Sequence, residues 1–194
     1  PIIIFDDHWT CKLLSENQKA LEDGKEFVSK LNIPAIAKEI KRNPIIHVFY
    51  EWDTLPAAID LKNKFTETGI ANIILHEKKS FSQGYYTILY NQKFSLVINL
   101  IRYSCVIKNG NFSPIFRNEY DEKLDDFLRK RCQENGANYI KFAKGAMEKI
   151  LWNIETMMKF PYLITAIGEE LEIDISNPLK SFSEEAKELQ EYKG

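Results

Sequence analysis

Hydrophobic and polar positions along the chain form blocks that predict strands and helices in turn. Residues 1–5 and 45–52 are apolar and rich in β-branched side chains, a composition typical of buried strands. Between them, the apolar positions of 11–31 and 34–42 recur at about the helical period, which predicts two helices. The first quarter of the chain therefore predicts a strand, two helices and a second strand.

The segment from 45 to 77 predicts a strand–helix–strand unit. After strand 45–52, Thr54 is placed to cap a helix that runs to Thr68, and Gly69 stands where a helix C′ glycine belongs. A second strand is predicted over 71–77. This order of elements predicts a parallel pair of strands joined by a right-handed crossover.

The next segment predicts antiparallel strands. Strands are expected over 85–90, 94–107 and 111–117, and the Asn109-Gly110 dipeptide is a strong hairpin signal. An antiparallel meander added to the parallel pair gives a mixed sheet.

The last third of the chain predicts helices over 120–134, 137–159, 161–172 and 182–192, with Pro161 ending the second of them. The predicted fold class is therefore α/β or α+β. A mixed sheet region at 1–118 is followed by a helical region at 119–194 that packs on it, within one domain.

Charge and cysteine content narrow the class of protein. The net charge of −2 gives no excess of cations for nucleic acid, which is an unlikely partner. Three dispersed cysteines predict reduced thiols rather than a disulfide framework. No apolar run is long enough to span a membrane, and the start lacks the features of a signal peptide. We therefore expect a soluble, cytoplasmic protein.

Three carboxylates follow predicted strands and form a candidate metal site. Asp6 and Asp7 end the strand Ile-Ile-Ile-Phe, and Asp53 follows the strand at 45–52. Carboxyl ends of parallel strands meet at one edge of a sheet, and Mg²⁺ prefers such oxygen ligands. The Asp6-Asp7 strand and the Asp53-Thr-Leu-Pro56 motif resemble the response-regulator receivers. That resemblance implies a phosphoacceptor Asp53 with Mg²⁺ held by the acidic pair, although the next strand ends in His76 without the family's hydroxyl residue.

Arg42 and His47 form a second candidate site. The spacing of an arginine and a histidine five residues later resembles the HEPN ribonucleases. The resemblance implies cleavage of RNA without metal, in which the histidine handles the proton and the arginine stabilises the phosphate. That family carries the pair on a helix, whereas Asn43 and Pro44 end the helix here.

Aromatic residues load the predicted meander. Because side chains alternate along a strand, these aromatic residues fall on both faces of the meander. If one face is exposed, its tyrosines are suited to a protein interface. If helices cover both faces, the aromatic residues belong to the core. The candidate interface residues are Tyr85, Tyr86, Tyr90 and Tyr103.

No complete catalytic constellation is evident in the sequence. The leading hypothesis is a non-enzymatic protein–protein interaction module of adaptor, inhibitor, immunity or effector type, with regulatory character and without a cofactor. The two alternatives are a Mg²⁺-dependent phosphoryl-transfer or receiver-like protein using Asp6, Asp7 and Asp53, and a metal-independent ribonuclease using Arg42 and His47. The identity of the partner and the oligomeric state stay open.

Overall fold

A computed structural model describes residues 22–78, 89–102, 105–108, 111–114, 119–144 and 149–175. The predicted strand at 1–5 and the predicted helix at 182–192 lie outside these residues, together with Asp6 and Asp7. In chain order the elements are α1 (22–29), α2 (Ile33–Arg42), β1 (Ile45–Tyr50), α3 (Leu55–Thr68), β2 (Asn72–Glu77), β3 (Leu96–Arg102), β4 (Cys105–Lys108), β5 (Asn111–Pro114), α4 (Glu119–Asn135), β6 (Asn138–Lys144) and α5 (Lys149–Glu170).

Four strands form one parallel sheet in the order β2-β1-β3-β6. Phe49 of β1 lies opposite His76 of β2 on one side and Asn99 of β3 on the other. Asn99 in turn lies opposite Lys141 of β6. These registers place one row of side chains across the whole sheet on a single face.

The sheet is covered on both faces. Residues Ile46, Val48, Ile98 and Leu100 point to a large core shared with α2, α3 and α5. The opposite face packs against α4 through a second core, formed by Phe49, Leu89, Phe94, Val97, Leu124, Leu128 and Cys132. The apolar face of every layer is thus buried in a helix–sheet–helix sandwich.

The predicted parallel pair is confirmed. β1 and β2 pair in parallel register, joined by α3. That helix ends at Gly69, whose φ of 67° is the left-handed conformation expected of a C-terminal glycine. The predicted helix at 34–42 is confirmed as α2, with Pro34 in its first turn.

The predicted meander is wrong, because β3 pairs with parallel strands on both sides. The hairpin signal at 109–110 is borne out locally, since β4 and β5 flank it and pair antiparallel. Those two strands form a separate two-stranded sheet and do not extend the main one. The main sheet is therefore parallel rather than mixed.

The expected helical last third is wrong at residues 138–144, which form β6 and complete the main sheet. Helix α5 begins only at Lys149 and continues through Pro161 to Glu170. Pro161 is exposed on that helix, where its ring meets water rather than the core. None of the helices in the described parts of the chain combines the length and hydrophobicity needed to cross a bilayer.

Candidate functional site

The carboxyl ends of β1 and β3 mark the point where the chain reverses its direction of travel across the sheet. From β1 the chain crosses to β2 through α3, which packs in the larger core. From β3 it crosses to β6 through α4, which packs on the opposite face. Because these connections diverge to opposite faces, the two strand ends form the topological switch point of the sheet, and open α/β sheets bind ligands in the crevice at this place. We call it the switch-point crevice.

An ion pair bridges the switch-point crevice. Asp53 lies just after β1 and Arg102 is the last residue of β3, and Asp53 Oδ2 accepts a hydrogen bond from Arg102 Nε over 2.5 Å. Both side chains are only partly exposed, which strengthens their attraction relative to a fully hydrated pair. The pair joins two strand ends that are neighbours in the sheet.

A second pair of opposite charges lies beside the first. Lys78 follows β2, and its ammonium donates to the backbone oxygen of Leu100 over 2.8 Å. The same nitrogen lies 3.7 Å from a carboxylate oxygen of Glu51, which follows β1. Only 3 % of the Lys78 side chain is exposed, so this cation is held by protein groups rather than by water.

Helix α5 shapes the loop after β1. The Asn153 side-chain NH₂ donates to the backbone oxygen of Asp53 over 2.8 Å. Its Oδ1 accepts from the backbone N–H of Ala57 over 3.2 Å. The predicted cap residue Thr54 instead bonds back to the Glu51 backbone. The first turn of α3 is therefore capped by a residue from another helix.

Trp52 projects from this ordered loop. Its side chain is 67 % exposed, whereas Thr54 is fully buried.

Of the three predicted metal ligands, only Asp53 lies among the described residues. This carboxylate pairs with Arg102, while Asp6 and Asp7 lie outside the described residues. Among the residues that the structure describes, no group of three or more metal-ligating side chains comes together. The metal site that joins Asp53 to the acidic pair stays a prediction.

The structure does not bring Arg42 and His47 into one site. Arg42 ends α2 and pairs with Glu39 on the surface. His47 is fully buried within β1. A buried imidazole cannot reach an RNA backbone, so the ribonuclease hypothesis is wrong.

His47 contacts a second histidine that the sequence analysis did not pair with it. His47 Nδ1 lies 2.8 Å from His76 Nε2 of the neighbouring strand. Burial lowers the pKa of His47 to about 3, with a smaller contribution from His76, and burial lowers the pKa of His76 to about 4. Both rings are therefore neutral near pH 7. Phe49 stacks on His76, and Phe94 meets His47 edge-on.

A polar cluster lies beneath α4, and sequence reasoning did not find it. Asp125 accepts hydrogen bonds from Asn99, Tyr139, Lys141 and Arg129. Burial, followed by the hydrogen bond to Asp125, raises the pKa of Tyr139. These partners come from one helix and two strands. The sequence signals only the four-residue spacing of Asp125 and Arg129 on a helix. The contacts of Asn99 and Lys141 follow from the register of β3 with β6, which had not been predicted.

The candidate interface tyrosines fall mostly outside the described residues. Tyr85, Tyr86 and Tyr103 are among those not described. Tyr90 is exposed, and the guanidinium of Arg131 lies 3.7 Å from the centre of its ring. The interface itself stays a prediction.

The arrangement defines a doubly wound, parallel α/β domain with a charged crevice at its switch point. Its fold is similar to that of a solved sugar isomerase domain. The sugar isomerase domain of an RpiR transcription factor from Sphaerobacter thermophilus matches with a TM-score of 0.51 and 9 % identity, over 89 % of this chain and 98 % of that one. A proposed sugar-phosphate isomerase from Listeria monocytogenes matches with a TM-score of 0.48 and 11 % identity, over 90 % and 96 % of the two chains. No protein-family model and no curated protein matches the sequence.

The predicted function is corrected by this fold. The hypothesis of a non-enzymatic interaction module rested on the near-neutral charge, an aromatic-rich sheet and an amphipathic helical last third. In the structure both faces of the main sheet are covered by helices. The match is to a sugar isomerase domain, and it supports neither the interaction module nor the receiver-like and ribonuclease alternatives.

Proposed function

We propose that this chain binds a phosphorylated sugar in the switch-point crevice between β1 and β3. The proposal follows the name of the matching domain, a sugar isomerase domain, whose fold this chain shares. The observation that carries it is the ion pair of Asp53 and Arg102, set beside Lys78 and Glu51 at the carboxyl edge of the sheet.

These four side chains suit the two parts of a sugar phosphate. A guanidinium can donate two parallel hydrogen bonds to phosphate oxygens, and a nearby ammonium adds positive charge. Carboxylates such as Asp53 and Glu51 accept hydrogen bonds from sugar hydroxyl groups. In this scheme the phosphate competes with Asp53 for Arg102, and the released carboxylate is then available to the sugar.

The crevice differs from a glycine-rich phosphate cradle. The sequence between β1 and α3 is Glu51-Trp-Asp-Thr54, which contains no glycine, and Asn153 already occupies the N–H of Ala57. Side-chain cations, rather than backbone N–H groups, therefore supply the phosphate contacts in this proposal.

Calorimetric titration with a panel of aldose and ketose phosphates and the matching unphosphorylated sugars tests the proposal. We expect saturable binding of at least one phosphorylated sugar and at least tenfold weaker binding of its unphosphorylated form, the loss expected from a charged hydrogen-bonding group. Proton NMR of the same samples follows any interconversion of aldose and ketose. Failure of every phosphorylated sugar to bind would overturn the proposal.

Substitution of Arg102 locates the site. R102Q should abolish the phosphate-dependent part of the affinity, whereas R42Q removes an exposed arginine from α2 and should leave the affinity unchanged. Because R102Q leaves Asp53 without its partner, the double variant D53N/R102Q controls for a loss of stability. Binding by R102Q equal to that of the unaltered protein would contradict the assignment.

A further inference from the structure

Asp53 and a bound phosphate would share one cation in the switch-point crevice. Asp53 Oδ2 accepts a hydrogen bond from Arg102 Nε over 2.5 Å, and Arg102 is also the residue that the proposed function assigns to the phosphate. The preference of the crevice among phosphorylated sugars, which rests on that proposed function, therefore depends on what happens to this carboxylate when the ligand arrives.

Partial burial makes the Asp53 carboxylate sensitive to the loss of its cation. Only 22 % of the Asp53 side chain and 17 % of the Arg102 side chain are exposed. A carboxylate that is partly withdrawn from water is destabilised more by the loss of its ion-pair partner than one on the open surface. A ligand whose only charge is a phosphate therefore gains Arg102 at the expense of Asp53, which is left without a countercharge.

The loop that carries Asp53 is held in place by hydrogen bonds at both of its ends. The Asn153 side chain donates to the backbone oxygen of Asp53 over 2.8 Å and accepts from the N–H of Ala57 over 3.2 Å. At the other end, the Thr54 hydroxyl accepts from the N–H of Glu51 over 2.9 Å. Because the backbone is fixed, the carboxylate stays at the crevice and is pre-organised to meet a second group of the ligand.

Charge balance indicates what that second group is. The four charged side chains described at the crevice cancel one another, since Asp53 and Glu51 are acidic and Arg102 and Lys78 are basic. A phosphate monoester brings about 1.5 to 2 negative charges at pH 7. A protonated amine on the same ligand would offset part of this excess and replace Arg102 as the partner of Asp53, whereas a carboxylate would add to it. We propose that Asp53 determines specificity, favouring phosphorylated sugars that carry a protonated amine and excluding those that carry a carboxylate.

Calorimetric titration at pH 6.5 with three ligands tests this preference. Glucosamine 6-phosphate and glucose 6-phosphate differ only in an amine or a hydroxyl group on one carbon, and 6-phosphogluconate carries a carboxylate. We expect the amine to strengthen binding about tenfold relative to glucose 6-phosphate, the equivalent of one hydrogen bond between charged groups, and the carboxylate to weaken it by about the same factor. If either of these ligands binds as tightly as glucose 6-phosphate does, the charge preference is wrong and the proposed function still stands. Failure of every phosphorylated sugar to bind would overturn the proposed function and the preference with it.

The variant D53N assigns the preference to its residue. Asparagine keeps an oxygen that can accept from Arg102 but removes the charge. D53N should therefore bind glucose 6-phosphate at least as tightly as the unaltered protein and should bind glucosamine 6-phosphate with about equal affinity. D126N removes an exposed carboxylate from α4 and should leave the preference for the amine unchanged. Thermal unfolding verifies that both variants are folded. A preference for the amine that persists undiminished in folded D53N would show that another group recognises it, and the assignment to Asp53 would be wrong.

Discussion

His47 and His76 share one short contact between neighbouring strands, with Nδ1 and Nε2 2.8 Å apart in a setting closed to water. One of the two nitrogens must donate the proton and the other must accept it, so the accepting ring must be neutral, and burial keeps the donating ring neutral near pH 7 as well. Adding a proton to either ring would place a cation in the core beside Phe49, on a ring nitrogen that has no hydrogen-bond acceptor.

Stability should fall as the pH falls below about 6.5. The unfolded chain binds protons at both histidines with an ordinary pKa, whereas the folded pKa values are about 3 for His47 and about 4 for His76. Between pH 6.5 and pH 4 the unfolded state therefore holds more protons, and the free energy of unfolding decreases with decreasing pH by up to about 1.4 kcal/mol per pH unit for each histidine. Urea unfolding between pH 5 and 7.5 measures this slope above the range in which most carboxylates titrate.

The variants H47Q and H76Q separate the two contributions, and H8N serves as the matched control because it leaves the buried pair intact. The combined H47Q/H76Q protein should lose most of the slope between pH 5 and 6.5, at some cost in overall stability. An unchanged slope in the double variant would show that other groups cause the acid sensitivity.

Asp125 should be far more important for stability than its neighbour Asp126. Asp125 is buried and accepts hydrogen bonds from Asn99, Tyr139 and Lys141, whereas Asp126 is exposed on the same helix. D125A should lower the free energy of unfolding by about 3 kcal/mol, because it removes the common acceptor of a buried cluster. D126A should change it by about 0.5 kcal/mol or less. Equal losses in chemical denaturation would mean that the cluster contributes nothing specific.

Asn153 should stabilise the loop after β1. N153A removes the acceptor of the Ala57 N–H and the donor to Asp53 at a buried position, and we expect a loss of about 2 kcal/mol. N32A removes a cap of the same chemistry from α2, but at an exposed position, and should cost about 1 kcal/mol or less. Thermal melts of the two variants supply the comparison, and a larger loss in N32A would contradict it.

Cys132 should resist thiol reagents in the folded protein. Burial raises the pKa of its thiol to about 12, so the reactive thiolate is scarce near pH 8. Alkylation with iodoacetamide followed by peptide mass spectrometry should modify Cys132 only after denaturation. Rapid modification of Cys132 in native buffer would show that the core around α4 opens readily.

Residues 138–144 show where periodicity misled the sequence analysis. Ile140 and Ala143 fit a helical spacing with the apolar residues of α5, so a single long helix was predicted. In the structure Ile140 and Phe142 face one core, while Tyr139 and Lys141 face α4. This is the two-residue alternation of a strand. Over only seven residues such a pattern also fits the three- and four-residue steps of a helix. The pairing of this segment with β3 makes it a strand.

The site was predictable only in part, for a related reason. The position of Asp53 after a strand was sufficient to place it at the edge of the sheet. Its partner Arg102 and the cap Asn153 lie 49 and 100 residues further along the chain, and their contacts depend on strand order. The sequence analysis had placed the β3 segment in an antiparallel meander, so its parallel pairing with β1 was not predicted.

The hydrogen bonds of Asn153 also have a consequence for biosynthesis. The loop after β1 is translated about 100 residues before Asn153, whose side chain hydrogen-bonds to it. A nascent chain can therefore pair β1 with β2 while this loop still lacks its hydrogen bonds to Asn153. Emergence of α5 from the ribosome would then be the step that completes the loop at the carboxyl edge of β1, and chains truncated before Asn153 should accumulate as partly ordered species that chaperones retain.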